Sequence, residues 1–165
     1  MPQETAAVPP VLAARGLYRF RPADGQQVPI LRDVSFALQP REFVTVMGPS
    51  GSGKSTLLHL LAGLDRPSAG EVWLDGVNLA SASEELCTAT RRRKLGFIFQ
   101  FFHLLPDLTV LENVTLPLRI LGHNLRRQQQ RIEQLLQRLG VAALSGRRPA
   151  QLSGGEMQRV SIARA

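Results

Sequence analysis

The chain of 165 residues is poor in cysteine. Cys87 stands alone, which excludes an intramolecular disulfide framework and leaves no support for a cysteine-based zinc site. No apolar run approaches the roughly 18–20 residues that a bilayer span requires. Residues 1–10 place Glu4 among small, polar and proline residues without an apolar core, so they do not read as a secretory signal. These absences lead us to expect a chain in a reducing cytosol unless a partner tethers it to a membrane. What is present is 44% hydrophobic and 20% charged residues. That is the balance of a soluble globular domain rather than of a disordered or fibrous chain, at a length able to bury a core.

The charge is uneven. The chain carries 20 Lys+Arg against 13 Asp+Glu, a formal +7. Residues 1–90 hold 7 basic and 9 acidic side chains, whereas residues 91–165 hold 13 and 4. A basic half admits nucleic acid or an anionic membrane surface. The plainer alternative is a set of solvated helix faces. The densest run, Arg91-Arg92-Arg93-Lys94, could contact phosphates in a salt-dependent way. Because no reader motif or stacking platform accompanies it, no nucleic-acid partner is expected. The run reads as a solvated helix end or a membrane-proximal face.

Along the chain, residues 1–10 read as a mobile tail and 11–20 as a strand. A turn is expected at Arg21-Pro22-Ala23-Asp24-Gly25. Short strands follow at 28–31 and 34–38, then a turn at Pro40-Arg41-Glu42. Phe43-Val44-Thr45-Val46-Met47 is short, apolar and β-branched, as in a strand buried on both faces. Residues 54–62 have helical spacing and stop at Gly63. Pro67 and Gly70 punctuate the next turn, and Glu71 to Leu74 alternate like a strand ending at Asp75-Gly76. Residues 83–94 predict a helix capped by Ser83, with acids first and bases last, as its dipole favours. Leu95 to Phe99 read as a second buried strand. Helices are predicted over 109–116 and 125–139, the latter stopped by Gly140. A last helix opens after Ser153. Trp73 is expected to pack beneath the sheet, His59 to pack on its helix, and Cys87 to be an ordinary helix residue. His103 and His123 carry no metal pattern.

Gly48-Pro49-Ser50-Gly51-Ser52-Gly53-Lys54-Ser55-Thr56 fits G-x-x-x-x-G-K-[ST] in full, between an expected strand and an expected helix. The spacing has a chemical reason. Glycines let the backbone curl so that successive N–H groups converge on a phosphate. A helix starting at Lys54 aims its positive end at the same place. Lys54 adds a charge able to reach β- and γ-phosphates, Ser55 a hydroxyl for Mg²⁺, and Thr56 a hydrogen bond on the α-phosphate side. The loop alone does not name the reaction. The N-K-x-D element that reads guanine is missing.

Leu152-Ser153-Gly154-Gly155-Glu156-Met157-Gln158 supplies a second anion site: Ser153 suits an N-cap, and two glycines allow close approach to a helix start. One nucleotide cannot easily fill both sites in one small domain. Two copies arranged head to tail could sandwich it.

With these residues the sequence resembles the ATP-binding subunits of ABC transporters. Leu152 to Gln158 are similar to their signature motif and Gly48 to Thr56 to their Walker A loop. Gln100 matches their Q-loop glutamine, which implies a role in positioning Mg²⁺ and water and in coupling. Phe20 matches the aromatic that stacks on adenine, with Tyr18 on the same strand face as the alternative; the family usually has Tyr there, and register also admits Arg21. The run from Gly96 to Val114, together with Leu57 to Asp65, resembles subunits of the lipoprotein-releasing and macrolide-exporter type. His103-Leu104-Leu105-Pro106 leans toward lipoprotein release.

The resemblance covers Val11 to Ala165. It implies an α/β P-loop NTPase fold of the ABC type, with an N-terminal antiparallel β-subdomain and phosphate-loop core (11–100), a helical subdomain (101–157) and the start of a return to the core (158–165). It also implies ATP and Mg²⁺ as cofactors, with Lys54 and Gln100 in the catalytic machinery and Ser55 and Gln100 serving Mg²⁺. Ser153, Gly154 and Gly155 would face the γ-phosphate of a partner's ATP. The implied partners are a second ATP-binding subunit and integral-membrane permease subunits, at the cytoplasmic face of the inner membrane. Phe101, Phe102, Leu104 and Leu105 are either a small local core or a groove for a permease helix. Hydrolytic members need an Asp for Mg²⁺, an adjacent general-base Glu and a later His. These would follow Ala165, so the chain reads as a truncated member, unable to hydrolyse ATP alone. The competing readings are a hydrolysis-dead nucleotide-binding fragment and a basic nucleic-acid protein.

Overall fold

The structure, a computed structural model, describes residues 9–23 and 25–165. The expected mobile tail lies outside the described residues up to Val8, as does Asp24 of the expected turn; Pro9 and Pro10 have no regular structure. Two compact units divide the chain, one ending at Lys94 and the other running from Leu95 to Ala165.

The first unit is built on strands β1 (Leu12–Ala23), β2 (Gln26–Leu38), β3 (Ala69–Leu74) and β4 (Val77–Asn78), with helices α1 (Lys54–Leu61) and α2 (Glu84–Lys94). The sheet order is β2-β1-β3-β4, and each adjacent pair is antiparallel. β1 continues through the expected turn to Ala23, pairing Arg21 with Val28 and Pro22 with Gln27. Its pairing with β3 ends at Tyr18. Beyond that point β1 borders one neighbour only, where the N–H that Pro22 lacks is not needed.

The two short strands expected around Arg32-Asp33 are one strand. Leu17 pairs with Val34 and Arg19 with Leu31, so β2 carries an extra residue there, and Asp33 absorbs it at φ 47°. Asp is among the side chains that tolerate this region. Gly70, expected in a turn, lies inside β3 at φ 92°; a Cβ there would stand 2.1 Å from the Gly16 carbonyl oxygen, so only glycine fits. The Asp75-Gly76 turn closes the β3–β4 hairpin as expected, with φ 48° and 80°, the signature of a two-residue primed turn.

Leu57, Leu60 and Leu61 of α1 are buried with Ala13, Ala14, Leu17, Val72 and Leu74 of the sheet, and with Leu79 and Cys87. A fully buried leucine such as Leu60 contributes about 1.5–3 kcal/mol. Trp73 points the other way from Val72 and Leu74 and is only half-buried. Its indole N–H donates to Glu71 at 2.8 Å, and Arg15 lies over the ring. His59 is exposed rather than packed.

The expected buried strands 43–47 and 95–99 do not form. A strand buried on both faces needs neighbours on both edges. Among the described residues neither segment has a backbone hydrogen bond to another strand. Phe43 and Met47 are accordingly 90% and 84% exposed.

The second unit contains α3 (Val110–Ile120), α4 (Leu125–Arg138) and α5 (Gly154–Arg164), with short 3-10 turns at Ala142–Leu144 and Pro149–Gln151. Val110, Val114, Ile132, Leu136, Val141, Val160 and Ala163 form its core, flanked by Leu104 and Leu152. α3 runs past its expected end at Leu116 and keeps Pro117 inside it. Thr109 and Glu112 close a capping box at its start. α4 stops where expected, with Gly140 at φ 66°.

Candidate nucleotide site

The phosphate loop belongs to the first unit and leads directly into α1. Gly51 and Gly53 take φ 78° and 91°, a region costly for any residue with a Cβ. Gly53 is also enclosed: a Cβ there would lie 3.0 Å from Leu31 Cδ2 and 3.1 Å from the Ile30 carbonyl oxygen. Because Gly53 is the N-cap and has no side chain, no side-chain cap closes the helix start. Leu57 N–H donates to the Gly53 carbonyl at 2.8 Å. The N–H groups of Lys54, Ser55 and Thr56 precede the first helical hydrogen bond and have no intrahelical partner.

The Lys54 ammonium folds back over its own loop. Nζ donates to the carbonyls of Gly48 at 2.9 Å and Pro49 at 2.7 Å, and lies 3.5 Å from Ser52 Oγ. The loop is thus curled around one positive charge, with Ser52 N–H tied to the Pro49 carbonyl at 3.3 Å. Ser50, Gly51 and Ser55 are exposed, and Thr56 is half-buried. This set of free N–H groups, one ammonium and two hydroxyls suits an anion with an accompanying hard cation.

Phe20 and Tyr18 lie on the same face of β1 with rings stacked 6.1 Å apart at 15°. Phe20 pairs with Pro29 of β2, and the next two residues, Ile30 and Leu31, are those that enclose Gly53. One short stretch of β2, Pro29 to Leu31, therefore borders both Phe20 of β1 and the loop at Gly53. The alternatives for the stacking aromatic form a single apolar step. Phe20 N–H is held by Ser68 Oγ at 3.1 Å.

In the second unit, Ser153 is the N-cap of α5. Its N–H and its hydroxyl both donate to Glu156 Oε2 at 2.7 Å, and Ser153 Oγ accepts from Glu156 N–H at 3.4 Å. The two Ser153 donors hold the Glu156 carboxyl below the usual carboxylate range, with help from Arg159 and Arg147. Gly154 has open space where a Cβ would stand, and the nearest atom at Gly155 is an Arg159 guanidinium nitrogen 3.5 Å away. The surroundings of this helix start are therefore basic and uncrowded.

Gln100 is exposed at the start of a small loop. Phe99 and His103 close its base, their rings edge-on 4.9 Å apart, while Phe97 stacks on Phe99 at 5.5 Å. Of the apolar cluster after it, Leu104 packs against the helical core, Phe102 is half-buried, and Phe101 and Leu105 are exposed. The cluster is thus divided between core and surface. The phosphate loop and Phe20 lie in the first unit; Gln100 and Ser153, Gly154 and Gly155 lie in the second.

Sequence reading missed Asn113, Arg164 and Glu156. Asn113 is completely buried; its amide donates to the carbonyls of Leu105, Leu108 and Thr109 at 3.0–3.1 Å and accepts from Leu105 N–H at 2.8 Å. Nothing in its neighbourhood marks it, because all its partners are backbone groups. Glu156 could have been found from the Ser-x-x-Glu spacing of a capping box.

The basic run at the end of α2 is partly consumed within the unit. Arg91 pairs with Glu84 at 2.9 Å and caps the Gly63 carbonyl, and Lys94 pairs with Asp75. Among the described residues no helix is long and apolar enough to cross a membrane.

The ABC transporter family profile matches residues 31–165. The lipoprotein-releasing system ATP-binding protein LolD of Idiomarina loihiensis is 50% identical over 141 residues, covering 86% of this chain and 62% of that protein. LolD 2 of Caulobacter vibrioides is 47% identical over 156 residues, covering 94% and 68%. The chain thus spans about two thirds or less of the length of these relatives. Among solved structures, the dimeric post-hydrolysis state of the ATP-binding cassette MJ0796 bound to ADP and Pi superposes with a TM-score of 0.84 at 37% identity, covering 93% of this chain and 68% of that one. A second dimeric structure of MJ0796, a bacterial ABC transporter cassette, gives the same values. The matched span includes the phosphate loop, Gln100 and the Ser153 helix start, and on this ground the chain belongs to the ABC transporter family.

Proposed function

We propose that the chain is the nucleotide-binding portion of an ABC transport ATPase that couples ATP binding and hydrolysis to lipoprotein release at the inner membrane. The observation that carries this reading is the phosphate loop, with left-handed Gly51 and Gly53, an uncapped α1 start, and Lys54 Nζ poised over Gly48 and Pro49. In this reading the loop from Gly48 to Thr56 wraps the phosphates, and Lys54 leaves the loop carbonyls for the β- and γ-phosphates. Phe20 stacks on adenine. Among the described residues no three His, Cys, Asp or Glu side chains form a metal cluster; Mg²⁺ would use the Ser55 hydroxyl and phosphate oxygens. The bound cation would supply charge neutralisation at the phosphates.

The start of α5 supports a role for a second copy. Gly154 and Gly155 offer N–H groups beside Arg159, while the Ser153 N–H and hydroxyl are held by Glu156, and a head-to-tail pair would bring this helix start to the partner's γ-phosphate. Two relatives carry lipoprotein release in their names, which supports that substrate class and permease subunits as partners. Exposed Phe101 and Leu105 are the proposed contact with a permease helix. Calorimetric titration tests the nucleotide reading: Lys54→Ala is expected to weaken MgATP binding at least about tenfold, since hydrogen bonds to charged groups contribute about 1.5–3 kcal/mol. Equal affinity in both proteins removes it.

A further inference from the structure

Gln100 is an exposed side chain on an irregular segment, and such a group needs something to aim it. The ring contact between Phe99 and His103 closes the base of its loop, and His103 takes a left-handed φ of 48°, costly for a residue with a Cβ. A strained loop persists only where its surroundings over-determine it.

The second leg of this loop is fastened by one side chain. Arg164, in the last turn of α5, donates from Nη2 to the Phe102 carbonyl at 3.0 Å and from Nη1 to the adjacent His103 carbonyl. A guanidinium fork can serve two successive carbonyls at once, as an ammonium of this reach cannot in fixed geometry. The backbone passes close at the same end of α5: a Cβ on Gly96 would stand 2.5 Å from the Ala165 carbonyl oxygen. Further on, Leu105 is pinned to Asn113. α5 itself rises about 16 Å from Ser153 to Arg164 as a rigid rod.

We propose that Arg164 is a positioning residue for Gln100, tying the loop that carries it to the far end of the helix that begins at Ser153. This rests on the reading of Gln100 and Ser153 given above. In that reading α5 carries the γ-phosphate contact at one end and holds the Gln100 loop at the other, so the two are set relative to each other by one rigid element. The plainer role for a C-terminal arginine, complementing the helix dipole, would need no hydrogen bonds to Phe102 and His103. Burial lowers the pKa of Arg164, as befits a guanidinium withdrawn from solvent to serve those carbonyls.

The test compares local with global opening by amide hydrogen exchange in the 165-residue chain. The Leu105 amide, bonded to Asn113, reports the loop; the Val114 and Val160 amides report the core. In Arg164→Ala, Leu105 is expected to exchange at least about tenfold faster, the scale of losing hydrogen bonds from a charged donor. Val114 and Val160 should stay within about twofold of wild type, as for substitutions that leave the core intact, and the Gln100 side-chain amide resonances should shift. Arg164→Lys, which keeps the charge and one donor position, should restore part of the protection and serves as the readout if the alanine variant does not fold. Leu105 exchange unchanged, or raised by the same factor as Val114 and Val160, overturns the proposal. The readout uses no nucleotide, so it decides the role of Arg164 whether or not the MgATP titration succeeds.

Discussion

Ser153 and Glu156 satisfy each other at the start of α5, with both Ser153 donors on one carboxylate oxygen at 2.7 Å. A phosphate arriving at Ser153 must therefore compete with a carboxylate already in place. Two outcomes follow for Glu156→Gln, which keeps an acceptor and removes the charge. Pyrophosphate affinity measured by titration should rise about two- to fivefold, the worth of one charge at a helix terminus. Stability should also change its pH dependence. A carboxylate with a depressed folded pKa contributes stability that is complete above its unfolded value, about 4.3. That contribution is lost as pH falls through the lower folded value. The melting-temperature difference between wild type and Glu156→Gln should be constant near neutrality and shrink below about pH 4.3. Glu112 is lowered in the same way by Thr109, but it is common to both proteins and cancels in the difference.

Asn113 and Leu105 give a second prediction. The buried amide of Asn113 holds the loop from Leu105 to Thr109 by four hydrogen bonds. Asn113→Leu has similar volume but removes the partner of the Leu105 N–H and of the Leu108 carbonyl, while the Leu105 and Thr109 carbonyls keep the Leu108 and Asn113 N–H groups; the cost is about 1–3 kcal/mol for a buried unsatisfied group. Denaturant unfolding should show at least that loss. Asn113→Asp should recover the bond from Leu105 N–H but not the three donations. Unchanged stability in both variants would mean the loop finds other partners.

The sequence disclosed most of what local chemistry determines. The loop from Gly48 to Thr56, the Ser83 and Ser153 caps, the Gly63 and Gly140 stops and the Asp75-Gly76 hairpin are each set by a few adjacent residues, and each stands where its spacing placed it. Failures arose where distant chain decides. Phe43 to Met47 read as strand because their side chains suit one, yet a strand exists only through a neighbour's backbone. Gly70 read as a turn residue because the approach of Gly16, more than fifty positions earlier, leaves no trace in its surroundings. Asn113 and Arg164 serve carbonyls, which every residue has, so no motif could announce them.

Gly53 offers a test of the loop independent of Lys54. Its φ of 91° and the closeness of Ile30 and Leu31 mean that Gly53→Ala must strain the loop or push β2 aside. The expected cost is about 1–3 kcal/mol. Because Gly53 is also the cap of α1, MgATP affinity should fall together with stability. Gly51→Ala is the useful contrast. It is strained by φ 78° but meets nothing within 4 Å, so it should cost less stability. A Gly53→Ala protein as stable as wild type with undiminished MgATP affinity would show that the loop has a different shape in solution.

The segment from Phe43 to Met47 sets the last expectation. Phe43 and Met47 are almost fully exposed, with Val44 and Val46 partly so, and among the described residues their backbone forms no hydrogen bond to another strand. An apolar run with unpaired N–H and C=O groups is a template for pairing with another chain. A polypeptide of residues 1–165 should therefore bind an apolar fluorescent dye while its helical circular dichroism is intact, and light scattering should grow with concentration. Phe43→Lys together with Met47→Lys should reduce both signals, since charge on an unpaired strand opposes association. The control is Phe101→Lys in the second unit, which removes another side chain of high exposure, 74%, without touching this segment. If Phe101→Lys lowers scattering as much as the double substitution, association proceeds through the Gln100 loop, and the 43–47 segment is not the sticky surface.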